Sequence, residues 1–166
     1  DCPALAPWAA ELRALMPSKA DRRTRLRTVE RFVNQKVPYA YDWDVWGVAD
    51  YLPTVPEIVE KGRGDCDGRA LIAVCLLRRY EADAHLVTDC KHMWVACRAG
   101  ECMSPGGPKV LESGPRGTRW NWRNLLRIEG PAYGVAVFPV VRELIILAAV
   151  SLATLLSLIL APSRVF

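Results

Sequence analysis

Cys66 lies in Gly62-Arg63-Gly64-Asp65-Cys66-Asp67, just ahead of the helix-forming run Arg69-Ala70-Leu71-Ile72-Ala73-Val74. A cysteine that opens a helix holds its sulfur near unpaired backbone N–H groups and the positive end of the helix dipole, and both favour thiolate over thiol. A nucleophilic sulfur also needs a base within reach. The chain offers two histidines, His85 and His92. His92 begins His92-Met93-Trp94-Val95-Ala96-Cys97, an alternating, β-prone run of the kind a half-buried strand carries. Together Cys66 and His92 are a candidate nucleophile and base for attack on an amide carbonyl, the Cys66 N–H contributing to an oxyanion hole. The plainer alternatives are an inert buried thiol at Cys66 and a hydrogen-bonded core histidine at His92. His85, on the preceding strand, is assigned that core role.

The elements that must position this pair follow from periodicity and breakers. Residues 7–16 read as a short amphipathic helix ending at Pro17. Ser18 or Asp21 caps a second helix that runs to about Gln35, with Leu26, Val29 and Val33 on its inner stripe, and Val37-Pro38 ends it. Residues 39–56, dense in aromatics, Asp and Pro, form a long structured loop, and such loops inside small domains usually carry function. A helical turn over 57–61 leads through Gly62 and Gly64 into the Cys66 helix, which continues to about Tyr80. Strands are expected over 84–88, 92–97, 101–103 and 109–111, with a hairpin turn at Arg98-Ala99-Gly100 and breakers over 105–108 and 113–115. Helices followed by antiparallel strands indicate an α+β domain.

Read in order, Phe32-Val33-Asn34, Tyr39, Asp42, Trp46-Gly47, Asp50-Tyr51, Pro56-Glu57, the Gly62–Asp67 run, Ala70 and His92-Met93 carry a family likeness. Over residues 25–105 the chain resembles the bacterial transglutaminase-like cysteine proteinases. The resemblance implies a papain/transglutaminase-like fold, with helices packed on a small antiparallel sheet, and catalysis by Cys66 and His92. The family places an aspartate at the end of the strand after the histidine strand, and the corresponding position is Ser104. Ser104 is therefore the third candidate catalytic residue. A hydroxyl can hold a histidine tautomer but does not stabilise an imidazolium as a carboxylate does. Asp89, Glu101 or Asn121 are alternative partners through a different geometry. Gly68-Arg69 also depart from the acid and aromatic the family carries there. Some members bind calcium beside the cysteine, which implies a calcium site at Asp65 and Asp67 with further oxygens from Asp42, Asp44 or Asp50. Helix capping and solvent exposure are the simpler reading of those acids. No other cofactor is required.

The 166 residues have room for one domain and little more. Hydrophobic residues make up 51% of the chain but concentrate at its end, where residues 144–162 carry no charge. That length matches a bilayer core and predicts a C-terminal transmembrane helix. The expected organisation is an N-terminal helical segment over 1–20, a transglutaminase-like domain over 21–130, a juxtamembrane linker over 131–143 and the span over 144–162. Arg116, Arg119, Trp120, Trp122, Arg123 and Arg127 precede the span and suit a headgroup layer or, equally, a folded surface. A net charge of +4 with 18 acidic residues interspersed argues against a nucleic-acid partner, and the arginines at 22, 23, 25, 27 and 31 read as a solvated helix face.

The sequence opens on Asp1 rather than methionine, as expected after removal of a signal peptide or anchor, or of a trimmed sequence; Asp1 before Cys2 is not the small residue of a lipobox. The resemblance and a processed leader place the domain on the periplasmic side of a bacterial membrane. Arg123, Arg127 and Arg142 before the span, against Arg164 after it, argue for the opposite side. Cys90, Cys97 and Cys102 fall on neighbouring strands, near enough for one disulfide in an oxidising compartment, and with His92 they mimic a zinc set whose ligands alternate between faces. The expected function is a membrane-anchored cysteine hydrolase acting on a peptide or protein substrate. The alternative is a catalytically silent domain serving as a subunit or binding module of a membrane complex.

Overall fold

The computed structural model describes the backbone of residues 2–89, 91–126 and 139–160, with side chains for 2–89, 91–125 and 144–156. A 3-10 turn, Pro3–Leu5, leads into α1 (Ala6–Leu15), followed by α2 (Arg22–Lys36), α3 (Asp42–Val45), α4 (Val55–Lys61) and α5 (Cys66–Leu77). Five strands follow: β1 (His85–Thr88), β2 (Met93–Cys97), β3 (Gly100–Cys102), β4 (Leu111–Gly114) and β5 (Gly117–Trp120). Then come α6 (Trp122–Leu126) and α7 (Pro139–Leu160). The strands form one antiparallel sheet in the order β3-β2-β1-β4-β5. The architecture is α+β.

Helix α5 is the centre of the packing. Its Ala70, Ile72, Ala73, Leu76 and Leu77 are fully buried, so apolar residues surround its axis, as a core helix requires. It lies against β2 and β1 on one side and against α2 and α4 on the other. Helix α2 supplies Leu26, Val29, Phe32 and Val33 at helical spacing to the same core. Its start is fixed by Asp21, whose carboxylate accepts the Thr24 N–H at 2.7 Å. Trp94 and Val95 close the core from the sheet. Each fully buried aliphatic side chain contributes about 1.5–3 kcal/mol.

Residues 1–125 and 126–166 are two separate units. The expectation of a transmembrane helix over 144–162 does not hold: among the described residues no helix is long and apolar enough to cross a membrane. In α7 the charge-free part runs from Leu144 to Leu160. At 1.5 Å per residue that is about 26 Å, against about 30 Å of hydrocarbon. Arg142 and Glu143 stand directly before it in the same helix, and residues 161–162 lie outside the described residues.

The second hairpin, β4–β5, was not expected. Gly114-Pro115 read as a break, yet Gly114 pairs with Gly117, whose φ of 106° closes the turn. The breakers mark the turn rather than the end of the sheet.

Candidate active site

Two main-chain hydrogen bonds place Cys66. Tyr39 and Gly64 form an isolated parallel bridge, with Ala40 N–H donating to the Gly64 carbonyl at 3.0 Å and Gly64 N–H to the Pro38 carbonyl at 3.2 Å. They close the base of a loop that holds α3 and α4. Inside it, buried Asp42 accepts the Tyr51 N–H at 2.7 Å, and Arg63 donates to the Asp44 carbonyl at 3.1 Å. A capping box at Thr54 and Glu57 starts α4, and Gly62, at φ 64°, ends it. Asp65 is then the N-cap of α5, its carboxylate accepting the Asp67 N–H at 3.1 Å. Cys66 therefore occupies the first helical position, as its sequence context predicts.

The ionisation of its sulfur departs from that prediction. Burial pushes the Cys66 thiol up to about 12; the nearby Met93 N–H pulls it down, while the charges of Asp67 and Asp65 push it further up. The thiol donates to Asp67 Oδ1 at 3.4 Å. Desolvation and two flanking carboxylates outweigh the helix dipole, so the resting group is a thiol. Asp65 and Asp67 are themselves raised above the ordinary carboxylate range, burial being the largest cause in each.

His92 sits immediately before β2, the strand on which α5 packs. Its Nε2 lies 3.0 Å from the Met103 carbonyl oxygen. A carbonyl only accepts, so Nε2 carries the hydrogen and Nδ1 is left to exchange a proton with another group. The ring stacks on Trp94, with centroids 6.2 Å apart and planes 15° from parallel. The aim of the Met103 carbonyl is set by two consecutive non-glycine residues in the left-handed region, Met103 at φ 68° and Ser104 at φ 58°, and by Met103 N–H donating to Glu30 Oε1 at 2.7 Å. Such backbone conformations cost about 1–3 kcal/mol each and gather at functional sites. Ser104 is exposed beside this contact.

Asp89, considered as an alternative ring partner, holds the His92 backbone. Its Oδ1 accepts from Lys91 N–H and His92 N–H, both at 3.0 Å, and its Oδ2 from Gly107 N–H at 2.6 Å. Burial alone would raise this carboxyl, but the three N–H donors and the His92 charge keep it below the usual range. Glu101 accepts from the Trp94 indole at 3.2 Å and pairs with Lys109; Asn121 accepts the Asn124 N–H at 3.2 Å. His85 Nδ1 meets the Asp83 carbonyl at 2.9 Å. Among the described residues Cys66, Cys75, Cys97 and Cys102 are free thiols, and Cys90 lies outside them.

Gly106 lets the Asp89 clamp close. A Cβ there would stand 2.6 Å from Asp89 Oδ2 and 3.1 Å from the Trp94 ring. Gly106→Ala should therefore cost about 1–3 kcal/mol in urea denaturation. It should also raise the amide exchange rates of Lys91 and His92 above those of the α5 amides.

Ligand atoms of Asp65, Cys66 and Asp67 lie within 4.8 Å of one another, and the Asp42 Oδ1 is buried without a hydrogen-bond partner. The carboxylates are hard oxygen donors of the class calcium takes. No protein-family model matches this chain, and no curated protein matches it.

Proposed function

We propose that the chain is a transglutaminase-like cysteine hydrolase that cleaves a peptide or amide bond through Cys66 and His92. One observation carries the reading. Cys66 heads α5, which packs on β2 directly after His92, and His92 Nε2 is tied to the Met103 carbonyl, leaving Nδ1 as the exchanging nitrogen. His92 takes the thiol proton as sulfur bonds to the substrate carbonyl carbon. It returns that proton to the leaving amine as the C–N bond breaks, forming a thioester. Water then attacks the thioester, with His92 taking its proton and giving it back to the departing sulfur. The products are an acid, an amine and the original thiol.

Because the resting thiol is protonated, proton removal must accompany attack rather than precede it. The same observation supports a second reading, a catalytically silent binding domain. The two differ in hydrolysis of a fluorogenic peptide-amide library by the full chain. Turnover that falls about 10²–10⁴-fold in His92→Ala supports the hydrolase, and absence of turnover supports the silent domain. No cofactor enters these steps. Calcium at Asp65 and Asp67, with the buried Asp42 oxygen as a further donor, is tested by calorimetric titration with calcium alone, where Asp42→Asn should weaken binding.

The protonated thiol has a pH signature. Iodoacetamide labelling of Cys66 should keep climbing through pH 9, near where an ordinary thiol levels off. Asp67→Asn removes a neighbouring negative charge and replaces the charged acceptor of the thiol with a weaker amide oxygen. The pKa should fall and labelling at pH 7.5 should speed up several-fold, as read by residue-resolved mass spectrometry.

A further inference from the structure

We infer that the apolar cavity beside Met93 is a substrate subsite that receives a leucine-sized aliphatic side chain within one or two residues of the scissile bond. This rests on the hydrolase reading and adds the substrate preference of the same site. The cavity has a volume of about 410 Å³ and is walled chiefly by Leu52, Pro53, Leu71, Leu86, Met93 and Leu111. Strand register explains it. Leu86 pairs with Val95 and Thr88 with Met93, while Leu86 also pairs with Ser113 and Thr88 with Leu111, so these side chains share one face of the sheet. On that face Val95 is completely buried, but Leu86, Met93 and Leu111 stay half-buried.

Two features join this cavity to the reaction centre. Met93, which lines the cavity, directly follows His92 in the chain, and Leu71, another wall, lies on the helix that Cys66 heads. Pro53 packs against α5 two residues after Cys66, where a Cβ on Gly68 would lie 3.5 Å from Pro53 Cγ. An extended peptide advances about 3.3–3.6 Å per residue, so a chain lying across Cys66 delivers an adjacent side chain to this wall. The named walls carry no charge to pair, which selects an aliphatic group over a charged one.

The test is methyl NMR of the full chain labelled at Leu and Met, titrated with acetyl-Gly-Leu-Gly-amide and acetyl-Gly-Asp-Gly-amide. The leucine peptide should shift Met93, Leu71 and Leu86 methyls and bind at least about tenfold tighter than the aspartate peptide. Leu52→Asp, at a rim residue 68% exposed and so harmless to the fold, should remove that preference. Equal binding of both peptides, or no shifts at these methyls, overturns the subsite even if hydrolysis depends on His92. Leucine-selective binding with no hydrolysis leaves the subsite standing and overturns the catalytic reading. A fall in assembly mass with Leu52→Asp, read by light scattering, assigns the face to self-association and overturns the proposal.

Discussion

Cys66→Ala is expected to abolish amide hydrolysis and leave the domain folded. Removing a covalent nucleophile costs on the order of 10⁴-fold or more in kcat, because the acyl intermediate of this mechanism forms on its sulfur. The fold should tolerate the change, since the sulfur is only half-buried and Asp65, rather than Cys66, caps α5. Hydrolysis progress curves and urea denaturation of the same preparation check both halves. Retained turnover would move the nucleophile elsewhere. A large loss of stability would make Cys66 a packing residue.

The second large effect concerns stability. Trp94 is fully buried, donates its indole N–H to Glu101 and lies beneath the His92 ring. Trp94→Ala should cost about 3–5 kcal/mol, the range for emptying an aromatic-sized volume in a packed core. Against a total of about 5–15 kcal/mol for a small domain, that leaves little margin. Trp120, half exposed on β5, is the control, and Trp120→Ala should change stability by no more than about 0.5 kcal/mol. Urea midpoints of the two variants decide it. Equal losses would mean that Trp94 is not a core residue.

Much of the scaffold was legible because the relevant physics is local. Asp21 as a cap, the 3.6-residue spacing of Leu26, Val29 and Val33, and the glycines before Cys66 each declare an element boundary or face without reference to the rest of the chain. What escaped depends on contacts distant in sequence. The thiol state of Cys66 follows from burial against β2, which no helix-start pattern reveals. The acceptor on His92 is a main-chain carbonyl, so no residue type advertises it. Its only sequence trace was the breaker after Ser104, and the left-handed backbone at Met103 and Ser104 has no glycine to mark it. Asp89 was weighed as a ring partner, whereas its carboxylate serves backbone N–H groups on two loops. The apolar run at the C-terminus illustrates the converse. A pattern read by length alone predicted a span that the described helix does not supply.

The central claim is that Cys66 and His92 exchange a proton during acyl transfer. Its most direct test is a single-turnover reaction of the full chain with p-nitrophenyl acetate at pH 7.5, quenched at intervals, with the acetylated residue located by mass spectrometry. The predicted result is acetyl on Cys66, forming at least about 100-fold more slowly in His92→Ala while the chain remains folded. Acetylation of Cys66 at the same rate with and without the imidazole, or no acetyl on Cys66 at all, would contradict the account.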